Sequence, residues 1–167
     1  MPVDTRKVTG RRPVRYDSFE DIVVDAERLA ALELTSLGNW SLGQTLKHLG
    51  SAMEGSVNGS GFKVRLWLRI IGRIYVKRLL LNGPFPAGFQ LPRSAAKRLV
   101  PDETSPGEGL DALRRGIMRL RSETTRSVHP VAGPLSIEEW NRFHLRHSEM
   151  HMSFLVPKAY AQPEANL

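Results

Sequence analysis

Apolar residues recur along this chain at α-helical spacing, and polar caps cut the pattern into segments. Ile22, Val23, Ala26, Leu29, Ala30 and Leu34 return every three or four positions, which a 3.6-residue turn gathers onto one face. Ser18 followed by Asp21 gives this first helix a capping-box-like start, and Gly38 marks its expected end. A second stripe of Leu42, Thr45, Leu46, Leu49, Ala52 and Met53 follows a second box, Ser41 and Gln44, and stops at Asn58-Gly59-Ser60-Gly61. From Phe62 to Leu81, Arg65, Arg69, Arg73 and Lys77 stand four apart against Leu66, Ile70, Ile74 and Leu81. That spacing predicts an amphipathic helix of interfacial type. The five basic residues from Arg65 to Arg78 exclude a membrane span there.

Between Asn82 and Pro106 lie five prolines, as expected of a long irregular crossover. Ser105, Pro106 and Glu108 restart helix with an N-cap, a proline at the first helical position and a box-closing acid, and Leu110, Leu113, Ile117 and Leu120 form its inward face. His129-Pro130 to Gly133-Pro134 reads as a tight connection. Ser136 to Glu139 is another box, and the last helix is expected to run to about Val156, stopped by Pro157. No strand pattern competes. The pattern predicts an all-α fold: an antiparallel four-helix bundle with one extra amphipathic helix on a long crossover. Residues 1–16 read as a basic N-terminal arm, 17–157 as a single bundle domain and 158–167 as a loose tail.

Length and composition agree with this division. A chain of 167 residues, 41% hydrophobic and 25% charged, suits one globular domain with a substantial core. Residues 1–16 contain no apolar signal region, so the expected location is cytoplasmic. A formal charge of +7 admits an anionic partner, although no helix-turn-helix or aromatic-rich basic strand points to specific nucleic-acid binding. The absence of cysteine excludes disulfides, zinc–thiolate sites and a thiol nucleophile of the protein's own.

The candidate chemistry is histidine chemistry. Three of the five histidines fall within Arg142-Phe143-His144-Leu145-Arg146-His147-Ser148-Glu149-Met150-His151. On a helix His147 and His151 lie about 40° apart in azimuth and about 6 Å apart along the axis, so both rings can reach one ion. Such a pair on an exposed helix is often merely solvated, but Trp140, Phe143, Met152, Phe154 and Leu155 around it indicate a packed helix, where buried imidazoles need partners. His48, at the edge of the second helix's inward stripe, is the best third ligand. Three neutral imidazoles leave coordination positions open for water or substrate. His144 and Gln44 are candidates to stand behind the ligands or to touch a substrate, whereas Glu54 and Glu149 are expected to point away from the histidine faces.

Trp40-Ser41-Leu42-Gly43-Gln44 with His48, Phe85-Pro86, His129-Pro130 with Gly133-Pro134-Leu135, Trp140, and His147-x-x-x-His151 appear in an order that resembles the DinB-like superfamily, metal-binding four-helix-bundle proteins of bacteria. The resemblance covers about Asp17 to Phe154 and is closest to an uncharacterised branch. It implies a divalent metal, zinc or nickel, on His48, His147 and His151. Met150 stands where many relatives carry a further histidine, which argues against a fourth. Two functions follow as expectations. One is a metal-dependent transferase or hydrolase that activates a small thiol or water against a small-molecule substrate, possible as a homodimer. The other is a non-enzymatic binding module with a structural metal and a basic surface for anionic partners.

Overall fold

The computed structural model describes residues 2–59, 83, 85–88 and 100–158. The expected basic helix at 62–81, most of the crossover and the tail from 159 lie outside the described residues. Four helices and two three-residue strands make up the described part: α1 (Phe19–Ala30), β1 (Leu34–Ser36), α2 (Leu42–Asn58), α3 (Pro106–Ser122), α4 (Ile137–Met152) and β2 (Leu155–Pro157). Among the described residues no helix is long and apolar enough to cross a membrane.

Each of the four described helices begins with the same device. The serine hydroxyls of Ser18, Ser41, Ser105 and Ser136 accept the amide hydrogens of Asp21, Gln44, Glu108 and Glu139, whose side chains return a bond to the serine amide. Each box satisfies two amides that the helix itself leaves bare, a contribution of about 0.5–2 kcal/mol per cap. Pro106, with its backbone angle already helical, opens α3.

Two ends differ from the expectation drawn from periodicity. α1 stops at Ala30, and Leu34, although in phase with its stripe, belongs to β1 instead. α4 stops at Met152, and the chain continues into β2, which pairs antiparallel with β1 through Leu34–Pro157, Thr35–Val156 and Ser36–Leu155. Both helices therefore end where their chains find each other, a partnership with no local signature.

Helix directions follow from cross-helix contacts. A Cβ at Gly43 would come within 2.0 Å of Thr104 O, and one at Gly50 within 2.3 Å of Ala112 O; in return, Cβ atoms at Gly109 and Gly116 would meet the backbones of Gly43 and Gly50. Contacts that advance together, 43 with 109 and 50 with 116, mean that α2 and α3 run parallel with backbones touching. The antiparallel expectation fails for this pair, because the chain between Gly59 and Ser105 is long enough to return to the starting end. Elsewhere the directions oppose: Glu27 and Glu20 of α1 pair with Arg114 and Arg121 of α3, and His48 and Ser56 of α2 meet His147 and His144 of α4. These surface ion pairs contribute little energy; here they serve to fix direction.

Ile22, Ala26 and Leu29 from α1, Leu46, Leu49 and Met53 from α2, Leu113, Ile117 and Leu120 from α3, and Met152 and Leu155 build the principal core. A smaller apolar cluster joins Trp140 and Phe143 of α4 to Phe85 and Leu135.

Candidate metal centre

α2 and α4 cross with His48 opposite His147 and His151. His147 Nε2 stands 3.0 Å from His151 Nε2 and 3.4 Å from His48 Nε2, and one nitrogen from each ring lies within 4.8 Å of the others. An imidazole nitrogen is either a donor or an acceptor, never both. The His147 nitrogen must therefore share one hydrogen, or one lone pair, between two neighbours. Donors held tetrahedrally at about 2.0–2.1 Å from a zinc-sized ion would stand about 3.3 Å apart, so the two contacts are close to the spacing that one shared ion would set. The three histidines can hold a metal ion, and the donor set fits a borderline dication that accepts nitrogen.

Aromatic rings enclose the cluster. Trp40, just before the Ser41 cap, stacks on His151 with centroids 5.1 Å apart and planes 12° from parallel, and leans on His48 at 4.7 Å. Phe85 and Phe143 lie 5.3 and 5.6 Å from His147. His48 is buried, while His147 and His151 keep part of their surface exposed. Burial pushes the proton affinity of both rings well below the usual imidazole value, and the other histidines, together with Arg11 in the case of His151, push the same way. The rings are thus neutral at physiological pH, the form a metal requires. Among the described residues His147 Nδ1 has no hydrogen-bond partner.

The other candidates lie apart from these nitrogens or are occupied otherwise. His144, one turn before His147, is fully buried, with Nε2 3.1 Å from Ser56 Oγ and its ring stacked on Trp140. Gln44 spends its oxygen on the Ser41 amide and donates from Nε2 to Pro101 O at 3.1 Å. Glu149 accepts from the Tyr16 amide at 2.7 Å and pairs with Arg146 at 2.8 Å.

Three features escaped the reading of the sequence. Trp40, which enters that reading only as part of the resemblance, proves to be a wall of the site. His129 Nδ1 accepts from the amides of Val131 and Ala132, and its ring faces Trp140 and Phe143. The N-terminal segment docks on the end of α4: the Arg12 amide donates to Ser153 O and the Arg12 guanidinium pairs with Asp25, while Arg11 reaches Ser153 Oγ and Met150 O. No local signal announces contacts about 140 residues apart in sequence.

A family model described as "Protein of unknown function (DUF1569)" matches residues 8–158, and the chain belongs to that family. No curated protein and no solved structure matches the chain.

Proposed function

We propose that this member of the family is a DinB-like four-helix bundle, with helices ordered up–down–down–up, that binds one divalent metal, zinc or nickel, through His48, His147 and His151. We further infer a metal-dependent transferase or hydrolase that works on a small molecule with a small thiol or water as nucleophile. The observation that supports this reading above all is the convergence of three imidazole nitrogens at the spacing of a shared ion. A divalent ion on three neutral ligands keeps its full charge, so it lowers the pKa of a bound water or thiol and polarises a carbonyl.

The chain's own residues prepare the site. Burial keeps His147 and His151 unprotonated, and Trp40 packed on His48 and His151 holds two ligand rings in place and keeps water from their faces. With no cysteine in the chain, a thiolate nucleophile has to arrive with a cosubstrate.

Titration of the metal-free protein with cobalt(II) tests the binding step. One equivalent should give the visible absorption of a low-coordinate nitrogen site, and His48→Ala, His147→Ala or His151→Ala should each weaken binding on the order of a hundredfold or more. Binding as strong as the parent's in any of the three variants would sink the assignment.

A further inference from the structure

Two adjacent arginines of the N-terminal segment meet opposite environments. Arg12 places its guanidinium on the Asp25 carboxylate at 3.0 and 2.5 Å, and Asp25 also accepts from Tyr16 OH. That charge is neutralised within the fold. Arg11 is half-buried too, yet its partners are the Ser153 hydroxyl at 2.7 and 3.0 Å, the Met150 carbonyl at 3.4 Å and the face of Phe154 at 4.3 Å. Among the described residues it forms no ion pair. Met150 and Ser153 bracket His151 in the chain, so the guanidinium is fixed at the end of α4 that carries one member of the histidine cluster.

A partly desolvated cation with no counter-charge is costly, and placing it beside a dication site adds repulsion. The arrangement becomes favourable when an anion sits between them. A guanidinium presents a planar fork suited to a carboxylate, and only some of Arg11's five donors are used by the contacts above. Resting on the metal reading given above, we propose that Arg11 is the carboxylate-recognition residue of this centre, and that the ligand the site accepts is a small molecule carrying a carboxylate alongside its metal-binding group. Ser153 and Phe154 position the guanidinium, the first through its hydroxyl oxygen and the second through its ring face.

The test compares two simple thiols on the cobalt(II) protein, read by the thiolate-to-metal absorption band. In the parent protein 3-mercaptopropionate should bind about tenfold or more tightly than neutral 2-mercaptoethanol, the scale of one charge-assisted contact. Arg11→Gln should abolish that preference, leave 2-mercaptoethanol binding unchanged and leave cobalt affinity unchanged or tighter, since a repelling charge has gone. Arg11→Lys should restore part of the preference. A merely structural arginine would instead lower cobalt affinity and weaken both thiols together, and that result would overturn the proposal. So would a preference that survives Arg11→Gln, or none in the parent. Failure of the parent to take up cobalt at all would overturn both this inference and the metal reading, whereas normal cobalt binding without the preference would overturn this inference alone.

Discussion

α4 carries histidines to two clusters that differ in how their nitrogens are satisfied. On the inner side His144 lies against Ser56 Oγ, and nearby His129 Nδ1 takes two backbone amides. Each ring there has a partner that suits one neutral tautomer, and Trp140 packs against both. On the other side His48, His147 and His151 turn nitrogens toward one another, and Trp40 packs against two of them. One residue type thus serves two purposes, separated by what faces the nitrogen. Where hydroxyl and amides meet the ring, histidine is a core residue; where the nitrogens of three rings converge, they can hold a metal ion.

Substitution should separate the two clusters most sharply. His147→Ala should abolish stoichiometric metal binding while changing the stability of the metal-free protein by no more than about 1–2 kcal/mol, because it relieves crowded nitrogens as well as removing packing. His144→Ala should do the reverse. It empties a fully buried site and removes the ring's contact with Ser56 Oγ, whose hydroxyl keeps its bond to Met53 O, at a cost of about 2–4 kcal/mol, while metal stoichiometry stays at one. Denaturant unfolding with parallel metal titration reads both quantities; loss of metal binding in His144→Ala at full stability would erase the distinction.

Acid should act on both clusters in the same direction. Burial lowers His129 to about 4 and His144 to about 3, below the usual value near 6.5 that the unfolded chain regains. Below 6.5 the unfolded chain takes up protons that the folded chain refuses. Stability present above pH 6.5 is therefore lost as pH falls toward 4 and then 3, by up to about 1.4 kcal/mol per pH unit for each histidine. Saturating metal should steepen this loss, since protons then also displace the ion from His48, His147 and His151. Unfolding free energies at pH 7, 6 and 5 measure it, and a flat profile for the metal-free protein would contradict the buried, neutral state of the inner pair.

The sequence exposed what is local and concealed what is not. The starts of the four described helices were legible because Ser18, Ser41, Ser105 and Ser136 each find their partner three residues on. The His147–His151 pair was legible for the same reason, a one-turn spacing. The ends of α1 and α4 were not, since β1 and β2 are joined across more than a hundred residues, and Leu34 keeps helical phase while lying in a strand. The parallel course of α2 and α3 was hidden as well, although Gly43 and Gly50, and Gly109 and Gly116, stand seven apart on the touching faces. Arg11 and Arg12 read alike, as basic arm residues able to attract the carboxylates of a small thiol, because position along the chain does not reveal which of two neighbouring charges is neutralised inside the fold.

The smallest expected effect uses two of the three tryptophans, Trp40 and Trp140, as separate reporters, read in a Trp67→Phe background. Trp40 lies 5.1 Å from His151 and 4.7 Å from His48, ring centre to ring centre, whereas Trp140 packs on His129 and His144 and donates from its indole nitrogen to Ser127 O. A paramagnetic ion held by the outer triad would be in near contact with the Trp40 ring and separated from Trp140 by the Phe143 and His147 rings between them. Cobalt(II) or nickel(II) should therefore quench part of the tryptophan emission, and zinc much less. Trp40→Phe should remove most of that quenching and weaken metal binding only a few-fold, because the ring orients His151 without supplying a ligand. Trp140→Phe should lower the total emission and leave the metal-dependent change attached to Trp40. Quenching that disappears with Trp140 and persists without Trp40 would place the ion at the inner pair.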